Sequence, residues 1–179
     1  MRFIGNKELI TIEIKSLLDK KGLLNSKLSF FDAFCGTGAV ADYLKDSVNL
    51  IVNDMIKWAE VYAKGRITSY NCNFENLGFD PFEYLNSKKT ITKGFFYENY
   101  SKGGSERMYF TSENAGRIDF FRKTIEKWKT EKHISEYEYS YLLASLVESI
   151  SFVSNTAGVY GAFLKHWDSR AKKPIIFKR

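Results

Sequence analysis

The spacing of apolar positions changes several times along this 179-residue chain, and each change predicts an element. Ile10, Ile14, Leu17 and Leu18 recur at helical intervals, so an amphipathic helix is expected directly after the first seven residues. Residues 28–34 form a short apolar run that suits a buried parallel strand, helix formers resume over 39–45, and residues 48–52 supply a second buried-strand candidate. A further helix is expected over about 55–68. Strand, glycine turn, helix and strand in that order make half of a doubly wound α/β sheet.

Beyond residue 70 the pattern loosens. Gly78, Asp80-Pro81, Gly94 and Gly103-Gly104 interrupt residues 71–112, and Phe95-Phe96-Tyr97 marks one candidate short strand. Two helices with clear signals follow. Ser112 or Asn114 can cap the first, whose Ile118, Phe121, Ile125 and Trp128 share a face. Ser135 and Glu138 have the spacing of a capping box ahead of Leu142, Leu143, Leu146, Val147, Ile150 and Val153. Such stripes predict a helical subdomain packed against the sheet. After Ser154 the period gives way to Asn155, Gly158 and Gly161 interleaved with Tyr160, Phe163, Lys165, His166 and Arg170.

The candidate chemistry sits where the first strand meets its turn, in Phe31-Asp32-Ala33-Phe34-Cys35-Gly36-Thr37-Gly38. Side chains at Gly36 and Gly38 would keep a ligand away from the backbone, and glycine also accepts positive φ. The N–H groups opening the next helix face that ligand. Asp54 closes the second strand, where an acid can accept hydrogen bonds from a ribose diol. The glycines alone leave three readings open: a nicotinamide site, since Gly36-Thr37-Gly38-Ala39-Val40-Ala41 satisfies the loose dinucleotide pattern, an S-adenosylmethionine site, or a purely structural turn.

Arg2-Phe3-Ile4-Gly5-Asn6-Lys7 separates these readings. Paired with Asp32 to Gly38 about twenty-five residues on, it resembles the F-x-G-[GN]-K and D-x-F-x-G-x-G motifs of bacterial adenine-specific DNA methyltransferases of the alpha arrangement. The resemblance implies a Rossmann-like α/β sheet, incomplete here, that binds S-adenosylmethionine through Phe3, Ile4, Gly5, Lys7, Asp32, Phe34, Gly36, Gly38 and Asp54. Within that set it puts Lys7 near the cofactor carboxylate, Phe34 and Gly36 along the methionine and ribose side, and Asp54 on the ribose hydroxyls. It extends to Tyr109 to Asn114, Arg117 to Arg122 and Asn155 to Lys165, which look like the helical insertion through which such enzymes approach DNA. Asn155, Tyr160, Lys165 and Arg170 are the DNA-binding candidates, because Asn can pair with adenine, Arg with guanine, and glycine lets backbone approach phosphate. The expected division is then 1–70 for the cofactor half, 71–112 for an irregular connection and 113–179 for the helical, DNA-facing part.

One motif is missing. Transfer to an exocyclic amine in this family uses a [DNS]-P-P-[YFW] tetrapeptide whose polar groups accept the amine hydrogens while the aromatic stacks on a flipped base. The only prolines here are Pro81 and Pro174, so no catalytic residue is assigned. Asp80-Pro81-Phe82 is a partial match in the wrong place, since the catalytic loop follows the helical insertion in this arrangement. The expectation is a restriction-modification methyltransferase whose catalytic strand lies beyond Arg179 or on a second chain, linked to its restriction endonuclease in function only. The alternatives are a non-catalytic subunit of a split enzyme and a nicotinamide oxidoreductase; the latter leaves Phe3 to Lys7 unexplained.

Composition sharpens this picture at three points. Of the net charge of +6, nearly all lies in residues 165–179, where Lys165, Arg170, Lys172, Lys173, Lys178 and Arg179 face the single acid Asp168. Such a run suits phosphate contact in double-stranded DNA. Cys35 and Cys72 without a secretory signal indicate a reducing compartment, Cys35 as a filler of the glycine turn. His133 and His166 are isolated, so no metal site is expected, and no apolar run approaches the length of a membrane span. The expected location is the bacterial cytoplasm.

Overall fold

A computed structural model describes residues 7–158 and 160–179. A short 3-10 turn, Glu8–Ile10, leads into α1 (Thr11–Lys20), followed by β1 (Ser29–Asp32), α2 (Ala39–Leu44), β2 (Asn49–Val52) and α3 (Lys57–Thr68). The two strands pair in parallel from Ser29 opposite Asn49 to Asp32 opposite Val52, with α2 as the crossover. The parallel pair and the surrounding helices are the expected α/β arrangement in its smallest form.

The strands are shorter and less buried than their apolar runs predict. Phe30 and Leu50 turn inward onto Ile14, Leu18, Leu24, Val40, Leu44 and Val48. Phe31 and Ile51 point the other way and remain 58% and 54% exposed. The expectation of fully buried strands is corrected to strands with one covered face, because no helix among the described residues lies over the second.

The rest of the chain is helical: α4 (Pro81–Ser87), α5 (Phe95–Tyr100), α6 (Ser112–Thr130) and α7 (Glu136–Val153). Ile118, Phe121, Ile125 and Trp128 of α6 bury against Leu142, Leu146 and Val153 of α7, joined by Phe82, Leu85, Phe110, Ile175 and Phe177. Burying each large apolar side chain contributes about 1.5–3 kcal/mol, so the mass of the core lies here rather than under the sheet. The capping box forms as read: the Ser135 hydroxyl accepts from the Glu138 N–H, and the Glu138 carboxylate accepts from the Ser135 N–H.

Three local expectations are corrected. The cap of α6 is Thr111, whose hydroxyl accepts from the Asn114 N–H at 3.2 Å; Ser112 and Asn114 lie inside the helix. Phe95-Phe96-Tyr97 is helical, because the Asp119 carboxylate accepts from the N–H groups of Gly94, Phe96 and Tyr97 at 3.2, 3.0 and 2.8 Å and caps α5 from another helix. The helical part packs on α3 rather than on the sheet. At Gly65 of α3 a Cβ would lie 2.7 Å from the Ala144 Cβ and against the Ser140 carbonyl, so the backbones of α3 and α7 meet directly there. Tyr62 donates to the Glu148 carboxylate across the same seam. Asp80-Pro81 starts α4, with the Asp80 carboxylate accepting from the N–H groups of Phe82 and Glu83 and proline in the first turn. That tripeptide is a helix start.

Candidate functional site

Both strands end at one edge, and Asp32, Phe34, Gly36, Gly38 and Asp54 gather there. β1 delivers Asp32 and the turn over 33–38; β2 delivers Asn53 and Asp54. The Asn53 N–H donates to the Asp32 carbonyl and the Cys35 N–H to the Asn53 carbonyl, both at 2.9 Å, so the pairing continues past the strands and fixes the turn.

The two glycines have different reasons to be glycine. Both have positive φ, +52° at Gly36 and +69° at Gly38. At Gly38 a Cβ would fall 2.7 Å from the Ala63 Cβ and 2.9 Å from the Ala63 Cα, so helix packing excludes a side chain. At Gly36 no atom lies within 4 Å of that position. The turn therefore presents bare backbone to open space at Gly36 alone.

Asp54 is tied into this turn. Its Oδ2 accepts from the Gly36 N–H at 2.9 Å and its Oδ1 from the Ile56 N–H at 3.0 Å. The Ile56 and Gly36 N–H groups, with the Lys7 charge, hold its carboxyl below the usual range. Each oxygen keeps further acceptor capacity. Asp32 moves the other way: burial raises its pKa, while Lys7 and the Phe34 N–H oppose the shift and Asp54 adds to it. Lys7, exposed at the start of the first turn, thus acts on both acids. Phe34 is 78% exposed. The Cys35 thiol is buried and pushed up to about 11 by burial, then by Asp32 and Asp54, which leaves it a neutral filler. Phe3, Ile4 and Gly5 lie outside the described residues.

Arg66 on α3 is a member of this region that the sequence did not mark. Its Nη1 donates to the Thr37 carbonyl at 3.1 Å and to Glu8 Oε1 at 3.2 Å, and its Nη2 to Asp42 Oδ2 at 2.8 Å. One guanidinium therefore joins the glycine turn, the residues just after Lys7, and α2. Its partners lie 24 to 58 positions away, so no local pattern could reveal it.

The DNA-binding candidates divide into two kinds. Asn155 has no exposed surface. Its Nδ2 donates to the carbonyls of Leu164 (3.0 Å) and His166 (3.2 Å), and its Oδ1 accepts from the Asp168 N–H at 3.0 Å. Base contact by Asn155 is corrected to a scaffold role, since its amide is spent on backbone. Arg170, half-buried, donates to the carbonyls of Ser154 and Thr156 and belongs to the same scaffold. Tyr160, half-exposed, stacks on Tyr109, while Lys165 is exposed. In the basic tail, Arg179 pairs with Asp80 and Lys178 lies over the Phe152 ring, which leaves Lys172 and Lys173 as exposed cations. Among the described residues no group of three or more His, Cys, Asp or Glu is placed to hold a metal ion, and no helix is long and apolar enough to cross a membrane.

Comparison with known proteins places the chain in a family. A family model described as D12 class N6 adenine-specific DNA methyltransferase matches residues 3–178. The chain is 42% identical to the type II methyltransferase M.FokI of Planomicrobium okeanokoites, over 96% of this chain and 28% of that protein. It is 41% identical to the modification methylase StsI of Streptococcus sanguinis, over 96% of this chain and 27% of the relative. With the type II methyltransferase M.NlaIII of Neisseria lactamica it shares 36% identity, over 98% of this chain and 52% of the relative. The chain thus spans little more than a quarter of the length of the first two. No solved structure matches it.

Proposed function

Since the chain belongs to the D12 class of N6 adenine-specific DNA methyltransferases, we propose that it carries the S-adenosylmethionine-binding half and the DNA-approaching helical part of a restriction-modification enzyme that methylates adenine N6. In this reading residues 1–70 belong to a Rossmann-like methyltransferase sheet, 71–112 connect, and 113–179 form the insertion that meets double-stranded DNA. The observation that carries it is the hydrogen bond from Gly36 to Asp54 beside open space at the ends of two parallel strands.

The residues present fit the cofactor. Bare backbone at Gly36 admits close approach, Asp54 retains lone pairs for the two ribose hydroxyls, and exposed Phe34 offers an apolar face. Lys7 supplies the positive charge for a carboxylate. S-adenosylmethionine, when bound, supplies a methyl group already activated on a sulfonium. What the protein adds is orientation, in which a fixed turn and a fixed acid hold the donor in place, and such positioning accounts for much of a transfer of this type. These 179 residues contain no [DNS]-P-P-[YFW] sequence, so they are expected to bind the cofactor without transferring its methyl group by themselves.

Calorimetric titration of S-adenosylmethionine, and separately of NAD, into this chain and its Gly36→Val and Asp54→Ala variants tests the reading. Saturable binding of S-adenosylmethionine, weakened on the order of tenfold or more by Asp54→Ala and abolished by Gly36→Val, is expected. Binding of NAD instead would replace the methyltransferase pocket with a nicotinamide one.

A further inference from the structure

Two segments far apart in sequence close on the ring of Tyr109. From one side, residues 100–110 fold over it: the Phe110 N–H donates to the Tyr100 carbonyl at 3.1 Å, and the Tyr100 and Tyr109 rings meet edge to face at 5.4 Å. From the other, the Asn155 N–H donates to the Tyr109 carbonyl at 2.8 Å, and the Tyr109 hydroxyl donates to the Tyr160 carbonyl at 3.3 Å. Tyr160 stacks on Tyr109 at 21°, and Phe163 meets it edge to face at 5.2 Å.

Each segment is also pinned from within. Asn155 holds the loop from Leu164 to Asp168 through the three backbone bonds given above. In the first segment the Ser101 carbonyl accepts from the N–H groups of Gly104 and Ser105, and the Ser101 hydroxyl accepts from Gly103 at 3.1 Å. Gly103 and Gly104 press on the Tyr97 ring and the Glu98 backbone, where a Cβ would overlap both. Two short loops without regular structure are thereby tied to one another through Tyr109.

This surface exposes Lys102 and Arg107 from the first segment and Lys165 and His166 from the second. Arg107 is held over the Tyr100 ring, its guanidinium at 5.8 Å from the centroid. None of the three cations is ion-paired among the described residues. Several cations of α3 and α6, by contrast, pair with neighbouring acids: Arg66 with Asp42, Lys64 with Glu60, Arg122 with Glu126. The first segment carries one acid, exposed Glu106, and Asp168, just beyond the second, accepts from the Arg170 N–H at 2.8 Å.

Exposed cations without an acid partner, on loops tied together beside a half-exposed aromatic ring, suit the nucleic-acid backbone, because charge neutralisation of phosphates dominates affinity. We propose that Lys102 and Arg107 join Lys165 in one phosphodiester-binding face, with Tyr109 as its keystone and Asn155 and Arg170 as its scaffold. The inference rests on the DNA-facing reading of this region and goes beyond it, by adding two cations from a segment otherwise read as a connection and by taking two of the earlier candidates out of contact.

Fluorescence anisotropy of a short labelled duplex, titrated across a range of salt concentrations, tests it on the 179-residue chain, Lys102→Gln, Arg107→Gln, Lys165→Gln and the triple variant, with Lys127→Gln at the far end of α6 as the control. The slope of log affinity against log salt is expected to shrink by about 0.9 for each phosphate contact removed, to fall furthest in the triple variant, and to stay unchanged in the control. Circular dichroism should be unaltered and melting curves little changed, since all four side chains are exposed and their contacts, Arg107 with the Asn99 carbonyl and Lys127 with Glu131, lie at the surface. A salt-dependent wild type whose slope is unmoved by Lys102→Gln and Arg107→Gln would overturn the two-segment face while leaving DNA binding intact. A wild type that does not bind duplex would overturn both, and displacement by polyglutamate as readily as by unlabelled duplex would replace the phosphodiester partner with an acidic polypeptide.

Discussion

The turn at the strand ends and the loop around Asn155 look alike in the sequence, each mixing glycines with polar side chains, yet the structure uses them in opposite ways. At the turn, glycine leaves open space and the neighbouring acid keeps lone pairs free. Around Asn155, the polar side chain is buried and every one of its hydrogen-bonding groups meets backbone. The polar residues of the helical part repeat this. Asn114 links α6 to the carbonyls of Ala171 and Lys173 and to the Ile175 N–H, Asp119 caps α5, and the Arg117 guanidinium donates to the carbonyls of Leu85, Lys88 and Thr90. A helical region that wraps irregular segments around two long helices must satisfy the backbone of those segments, and it does so with buried side chains. Polarity next to glycine is therefore evidence of a ligand only where the structure leaves the polar group unspent.

The sharpest contrast between the regions is thermodynamic. Asn114→Ala removes three hydrogen bonds to the C-terminal segment and strands buried backbone groups, for an expected loss of about 2–4 kcal/mol in urea unfolding. Binding of S-adenosylmethionine at low temperature, where the variant is still folded, should be unchanged. A loss below about 1 kcal/mol would mean that the amide is not a staple and would weaken the comparison.

Arg66 should behave in the reverse sense. It is partly exposed, so Arg66→Met is expected to cost about 1 kcal/mol or less of stability. It also removes the one donor shared by the Thr37 carbonyl and Glu8, which should weaken S-adenosylmethionine binding on the order of tenfold. Calorimetry on the folded variant gives the second quantity and urea titration the first. Unchanged affinity would reduce Arg66 to a surface ion pair.

What could be read from the sequence follows the range of the forces involved. The parallel pair, the helix after it and the capping box of α7 rest on contacts within a few residues or on apolar period, and they appear where expected. The helix at Phe95 did not, because Asp119 caps it from a different helix. The exposed face of Phe31 and Ile51 was equally hidden, since an apolar run tells that a strand is apolar but not whether both sides are covered. At the candidate site, Asp32, Gly36, Gly38 and Asp54 were legible because a strand end, a turn and an acid recur at a fixed spacing. Arg66 was not, since it acts by joining segments tens of residues apart.

The smallest expected effect concerns protons. The Ile56 and Gly36 N–H groups hold the Asp54 carboxyl below its ordinary range, so its folded-state pKa lies under the unfolded one. The order it gives the glycine turn is then complete above the ordinary aspartate range, about 3.9, and is lost as pH falls through the lower folded value. Asp32, whose pKa burial raises, protonates first on acidification and relieves its repulsion with Asp54, while the Gly36 and Ile56 N–H groups still meet an ionised Asp54 at that stage. Amide exchange at Gly36, corrected for intrinsic rates, should therefore stay protected through the range where Asp32 titrates and rise only at lower pH. In Asp54→Asn, where the side chain no longer carries the charge that the N–H groups favour, protection should be weaker and without that acid limb. The Asn155 loop contains no titrating group among its three backbone bonds, so its exchange should not follow the same curve. Parallel loss of protection at both places would mean that acid unfolds the whole chain before the turn responds, and the two regions would no longer be separable by charge.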